Sequence, residues 1–327
     1  MTALLSLSEV EVRFGGEDTA NAVDRVDLDV HRGEIFGIVG ESGCGKSTLA
    51  NAIMGLLPDS AHVSGSARLD DREILGIGEK ELRALRGDEL SMVFQDASAS
   101  LDPTWSVGDQ IAETIRAHRT ISGRKAKSRA IALMEEVGIP DAAGRYGDAP
   151  HRLSGGMRQR IVIAAALANQ PKLLLADEPT TALDVTIQAQ VLQLIRRLRD
   201  DHGTTVVLIT HDLGVVAETC DRVGVMYAGQ LVEVAATADL FAAPRHPYTR
   251  ALLAASPSVR TESRRLATIP GQVPGPAEQV PGCRFQPRCP RRVEQCSVTP
   301  ARVPLGLTSA ACWNPEPLPA AVAEGLR

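Results

Sequence analysis

Residues 40–48 read GESGCGKST: three glycines, one lysine and three hydroxyls between an apolar run and a predicted helix. From Gly40 to Ser47 they fit G-x-x-x-x-G-K-[ST]. Gly40, Gly43 and Gly45 let the backbone N–H groups of Glu41, Ser42, Cys44 and their neighbours turn inward around the β- and γ-phosphates of a nucleotide. Lys46 is placed to bridge the outer phosphates, and the Ser47 hydroxyl, followed by Thr48, to ligate Mg²⁺. Only five of the 35 basic residues are lysine, so Lys46 inside a glycine loop is not a product of composition.

Other residues of chemical interest lie far from that loop. LLLADE places Asp177 and Glu178 just past a fully apolar run. Asp177 suits an indirect contact to Mg²⁺, and Glu178 can face a water in line with a γ-phosphate. Gln95 ends MVFQD, where its amide could reach Mg²⁺ or that water, and His211 follows VVLIT. A second glycine device, LSGGMRQR at 153–160, puts Ser154, Gly155 and Gly156 at the start of a predicted helix. A helix cap with a flexible turn would have the same residues, and so would a phosphate grip.

These positions need a scaffold. EIFGIVG, LSMVF, KLLLA and TTVVLIT read as buried strands, and KSTLANAIMGLL and residues 185–198 as helices. Strands alternating with helices predict an α/β fold with a mostly parallel sheet, in which ligands collect beyond the carboxyl ends of the strands. The first thirty residues alternate differently (Val10, Val12, Phe14, then Val26, Leu28, Val30) and read as an antiparallel β part. Residues from about 96 to 152 carry two helical patterns and no strand, as an inserted helical subdomain would. Ala126, Ala130, Leu133, Met134 and Val137 mark one helix face. A boundary is expected near Pro257, because twelve of the 20 prolines lie from there to the end and disfavour long helices. The expected division is an ATPase domain over 1–256 and a Pro/Cys-rich tail over 257–327.

The 327 residues are 44% hydrophobic and 23% charged, with a formal net charge of -5. That balance gives no electrostatic reason to expect a nucleic-acid partner. No run approaches the roughly 20 apolar residues of a membrane span, and the N-terminus lacks the basic start of a signal peptide. The expected place is the cytoplasmic face of the membrane, held there by partners.

In order, residues 40–48, Gln95, LSGGMRQR, LLLADE, TALD and His211 resemble the nucleotide-binding subunit of an ABC transporter over about residues 1–250. The resemblance implies ATP and Mg²⁺ as cofactors, with Glu178, His211 and Gln95 as the hydrolytic group. It also implies a head-to-tail pair of ATPase subunits. Ser154, Gly155 and Gly156 of one subunit would then grip the γ-phosphate held by the other, with Asp184 of TALD between the two sites. Phe14 falls where the family stacks an aromatic under adenine; a core phenylalanine on a strand would look the same. The helical insert is similar to the importer subdomain on which two transmembrane permease subunits dock.

The end of the chain, RHPYTRALLAASP and then GCRFQPRCPRRVEQC, resembles the oligopeptide/dipeptide importer branch, which also includes nickel importers and works with an extracytoplasmic substrate-binding protein. Cys283, Cys289, Cys296 and Cys312 fall in this tail, whereas Cys44 and Cys220 read as packing residues. Four thiolates could hold Zn²⁺ or an iron–sulfur cluster, though tight C-x₂-C pairs are absent. The resemblance favours a [4Fe–4S] cluster of structural role over zinc; unligated or disulfide-paired thiols are the third reading. Arg284, Arg288, Arg291 and Arg292 could serve simply to offset thiolate charge. The expected activity is ATP hydrolysis driving import of short peptides. Nickel or another small solute is the alternative cargo, and an ABC ATPase acting on ribosomes or DNA the alternative function.

Overall fold

Ile35–Val39, Leu173–Asp177 and Thr205–Thr210 are strands buried along their whole length. Uninterrupted apolar runs of this kind form where both faces of a parallel sheet are covered. The computed structural model describes residues 2–16, 19–97, 99–181, 183–256 and 268–319, and the expected boundary at Pro257 lies outside them. Its contacts gather into two units: Met1–Leu4, His31–Glu34 and Ile77–Leu208, and then Leu5–Val30, Ile35–Gly76 and Ile209–Arg327.

In the first unit, Leu90–Val93 pairs in parallel with Leu173–Asp177, Leu90 opposite Leu173 and Val93 opposite Ala176. Its longer helices are Val107–His118, Gly123–Glu136, Gly155–Ala166 and Val185–His202. Each starts at a polar cap. Ser106, Ser122, Ser154 and Asp184 accept from the N–H of Asp109, Lys125, Met157 and Ile187, satisfying donors a helix start leaves unpaired. Ala126, Ala130 and Met134 are buried along Gly123–Glu136, as the helical spacing predicts. Tyr146 packs on the backbone at Gly108, where any side chain would collide with its ring. Its hydroxyl donates to Asp109 at 2.7 Å, and that bond holds the Asp109 carboxyl below the usual carboxylate range.

In the second unit, the strands Val23–His31, Ala3–Phe14, Ala61–Leu69 and Arg72–Glu73 lie side by side in that order. Along Ala3–Phe14 the side chains buried after Leu4 are Leu5 and Leu7, then Val10 and Val12, so the alternation slips by one residue. A bulge causes the slip: the register shifts between Ser8 and Glu11, with Glu9 at φ 47°. Opposite it, Gly65 (φ +92°) lies against the Glu9 carbonyl, leaving no room for a side chain.

The same unit pairs Ile35–Val39 in parallel with Arg222–Tyr227, which pairs antiparallel with Gln230–Ala236. Two short strands of the tail then extend this sheet: Thr308–Ala310 pairs with Gln230–Ala236, and Val303–Leu305 with Thr308–Ala310. The other described tail elements are single 3-10 turns, Pro276–Glu278, Gln286–Arg288 and Glu294–Ser297, in keeping with its prolines. Phe285 anchors the tail. It is 1% exposed and packs edge-on against Tyr227 at 5.2 Å and tilted against Tyr248 at 5.3 Å, with His246 beside it.

Candidate functional site

The loop at residues 40–48 joins the buried strand Ile35–Val39 to the helix Lys46–Met54 in the second unit. Gly45 caps that helix at φ +104°, a conformation other residues strain to adopt. Side chains are barred at Gly40 by the Met226 carbonyl and at Gly45 by the Ala22 carbonyl, so these glycines answer to close packing beneath the loop. Lys46 is 5% exposed, and its ammonium donates to the carbonyls of Gly40 at 2.8 Å and Glu41 at 3.0 Å. The ammonium is thus held against two carbonyls of its own loop, beside the N–H groups that a phosphate would need. Cys44 is buried under the loop, and burial raises its thiol pKa although Lys46 pulls the other way. Cys220 is buried as well, so both thiols pack as their sequence context predicts.

In the first unit, Asp177 ends its strand with 5% exposure. Glu178, the next residue, has φ 46°, a left-handed conformation costly for a residue with a side chain. The Glu178 carboxylate accepts from the Gln95 amide at 3.2 Å and from the Thr181 hydroxyl at 2.8 Å. Gln95 and Glu178 are therefore brought together although 83 residues separate them. Thr181 was not singled out in the sequence, and only its spacing of three from Glu178 could have pointed to it.

Ser154, Gly155 and Gly156 open the helix Gly155–Ala166, with Ser154 and Gly155 exposed. Ser154 accepts from Met157 N–H at 3.3 Å. A side chain at Gly156 would run into Ile187, so this glycine lets the start of Val185–His202 come close. Asp184 caps that second helix, accepting from Ile187 N–H at 2.9 Å. The two helix starts are thus held together. His211 lies exposed after Thr205–Thr210, beside Asp212, which caps the helix Leu213–Thr219. Phe14, at the end of its strand, is 37% exposed and is no core residue.

The tail thiols interact. Burial pushes Cys283 up to about 11, with Cys296 and Cys289 adding to the shift. Burial likewise raises Cys312 to about 11, and Cys283, Cys289 and Cys296 contribute. The four thiols therefore lie within electrostatic reach of one another. Yet among the described residues no three His, Cys, Asp or Glu side chains are gathered so as to hold a metal ion. That arrangement lends support neither to Zn²⁺ nor to a cluster.

Arg284 and Arg288 are engaged by carboxylates, whereas Arg291 does offset the charge of Cys289. Arg284 donates to Asp24 at 2.6 Å and to the Ala228 carbonyl. Arg288 grips Glu41 of the phosphate loop through both carboxylate oxygens, and Arg291 bonds Asn314. These guanidiniums find closer acceptors in carboxylates and carbonyls.

Residues 23–181 match the ABC transporter family, and residues 232–296 match the oligopeptide/dipeptide transporter C-terminal region. The chain is 47% identical to the probable peptide ABC transporter ATP-binding protein y4tR of Sinorhizobium fredii (strain NBRC 101917 / NGR234), over 95% of each chain. It is 48% identical to the dipeptide transport ATP-binding protein DppD of Escherichia coli (strain K12), over 90% of each. Among solved structures it resembles the dimeric post-hydrolysis state of the ATP-binding cassette MJ0796 bound to ADP and Pi. There the TM-score is 0.64 with 30% identity, covering 71% of this chain and 98% of that one. Fold, phosphate loop and relatives together define an ABC-type ATPase. Within that class the chain belongs to the ATP-binding proteins that carry the oligopeptide/dipeptide C-terminal region. No helix among the described residues is long and apolar enough to cross a membrane.

Proposed function

We propose that this chain is the ATP-hydrolysing subunit of an importer for short peptides at the cytoplasmic face of the membrane. The observation that carries the reading is identity of 46–48% over nine-tenths of the chain with dipeptide and oligopeptide transport ATP-binding proteins, tail region included.

Residues 40–48 bind the phosphates of ATP, with Lys46 on the outer phosphates and Ser47 and Gln95 toward Mg²⁺. Phe14 stacks on adenine. Asp177 steadies the Mg²⁺ shell, Glu178 polarises the attacking water, and His211 and Gln95 orient the γ-phosphate. Its bonds from Gln95 and Thr181 fix the direction in which the Glu178 carboxylate accepts. Ser154, Gly155 and Gly156 close over the nucleotide of a second ATPase subunit, and Asp184 links the two sites. The exposure of Ser154 and Gly155 at a helix start suits that role. Two permease subunits dock on the helical segment of about 96–152. Leu101 and Trp105 of this segment, with Phe94 and Val162 beside it, line a groove of about 480 Å³ in which Phe94 and Trp105 are more than 40% exposed. A substrate-binding protein delivers the peptide. Cys283, Cys289, Cys296 and Cys312 would hold a [4Fe–4S] cluster, which when bound supplies a rigid cross-link for the tail.

The test is purification from solubilised membranes through a tag on this chain, with mass spectrometry of co-purifying proteins and released ligand. Two permeases, a binding protein and bound peptides are expected. A metal in place of peptides would reassign the cargo, and ribosomal or DNA-repair partners would overturn transport. In the assembled complex, Glu178→Gln should retain ATP while hydrolysis falls by about a hundredfold or more; unchanged hydrolysis would remove Glu178 from its role.

A further inference from the structure

Glu41, the second residue of the phosphate loop, is held from three directions. Its N–H donates to the Tyr248 hydroxyl at 3.0 Å. Its carbonyl receives the Lys46 ammonium at 3.0 Å. Its carboxylate is gripped by Arg288, one nitrogen to each oxygen, at 2.8 and 3.0 Å. The third contact comes from the tail, 247 residues away in sequence.

Arg288 is built into place. Its side chain is 6% exposed, against 27% for Glu41. The Nε donates to the Pro270 carbonyl at 2.7 Å, and the remaining N–H groups reach the carbonyls of Ile269 and Gly271 and the Tyr227 hydroxyl at 3.3 to 3.4 Å. A planar fork with every donor engaged has one orientation, unlike a lysine ammonium. Its turn is fixed as well: Arg288 N–H donates to the carbonyl of Phe285, the buried tail anchor. Tyr248, which touches both Phe285 and the Glu41 N–H, belongs to the same packed group. Displacing the fork therefore removes one of three restraints on Glu41, whose carbonyl is one of the two that place the Lys46 ammonium.

We propose that Arg288 is a positioning residue for nucleotide binding: through Glu41 it sets the loop carbonyls that aim Lys46, so the tail governs nucleotide affinity without touching the nucleotide. This rests on residues 40–48 being the nucleotide loop. Whatever orders or loosens the turn bearing Arg288, which is followed directly by Cys289, would be felt as a change in nucleotide affinity.

The experiment measures binding of a fluorescent ATP analogue with Mg²⁺ to the purified full chain, beside thermal unfolding of each variant. Arg288→Ala should raise Kd by roughly two- to thirty-fold, the range for a residue that acts on a ligand only through others. Arg288→Lys, which keeps the charge and loses the fork, should fall between. Glu41→Gln should weaken binding similarly, and adding Arg288→Ala to it should cost little more, because both remove one interaction. Arg291→Ala removes a tail contact that does not reach the loop, and should leave Kd unchanged. Lys46→Ala is the reference for lost binding. If Arg288→Ala and Glu41→Gln lower the unfolding temperature yet keep the unsubstituted Kd, the contact is structural only and the proposal fails. If Arg288→Ala does not fold, Arg288→Lys and Glu41→Gln decide by the same criterion. If the unsubstituted chain does not bind, or Lys46→Ala binds as well as it does, the reading of the loop itself falls. Retained binding in Arg288→Ala beside lost binding in Lys46→Ala overturns only the role of Arg288.

Discussion

The chain has two glycine-rich helix starts, at residues 40–48 and 154–156, and they are finished differently. The first is closed by its own chain: Lys46 is buried, Gly40 and Gly45 rest against neighbouring backbone, and Glu41 is braced by Tyr248 and Arg288. The second stands more open, with Ser154 and Gly155 exposed, a serine cap, and the close approach of Gly156 to Ile187 for support. Glycine count does not distinguish them; surroundings do. A loop preorganised from every side suits a ligand its own chain binds first, whereas an exposed helix start suits a ligand brought by something else.

That contrast can be broken at several points. The largest effect on turnover is expected from Gly156→Ala, whose new methyl would meet Ile187 and push the two helix starts apart. ATP hydrolysis by the assembled transporter should fall by about a hundredfold, as for a displacement of about 1 Å, while nucleotide Kd of the chain alone stays put. Equal losses in both assays would place residues 154–156 at their own chain's nucleotide and erase the contrast. Phe285→Ala tests the bracing of the first loop. It empties a fully buried aromatic site and should cost about 3–5 kcal/mol in urea denaturation; a loss under about 1 kcal/mol would mean that the tail is not an integral part of the fold.

Acid should loosen the same bracing. His246 is buried and held neutral, its pKa lowered to about 3 by burial, and its Nδ1 accepts from Tyr248 N–H. The unfolded chain takes up a proton below about 6.5 that the folded chain refuses until about 3. Stability therefore declines as pH falls through that window, by up to about 1.4 kcal/mol per pH unit from this group. Glu233, which accepts from His246 N–H, is shifted upward by burial and works in the opposite sense. The difference between unsubstituted and His246→Asn urea midpoints from pH 7 to 5 isolates the histidine; parallel curves would clear it. The smallest effect is expected from Ser154→Ala, about 1 kcal/mol for a lost helix cap, with the first loop untouched.

The parts legible in the sequence were those whose physics is local. A buried parallel strand must be apolar along its length, so KLLLA and TTVVLIT announce themselves. The phosphate loop is contiguous, because one turn of backbone has to supply all its donors. The bulge at Glu9 is different: Gly65 inside a strand hints at a close approach, but the slip from Leu7 to Val10 becomes intelligible only with the paired strand in view. The tail strands escaped notice because three residues around Pro304 carry no periodicity, and they form by borrowing the edge of Gln230–Ala236. Arg288 near four cysteines read as a counter-ion. Its true partner lies 247 residues away, and charge alone cannot choose between a nearby thiol and a distant carboxylate.

Those tail strands have a consequence for solubility. Without Thr308–Ala310, the strand Gln230–Ala236 would present a row of unpaired N–H and C=O groups along an apolar stretch, a template for any passing chain. The strand that now ends the sheet is three residues long and contains Pro304, which has no N–H to offer a newcomer. Val303–Leu305 thus leaves the sheet with a border that other molecules cannot readily extend.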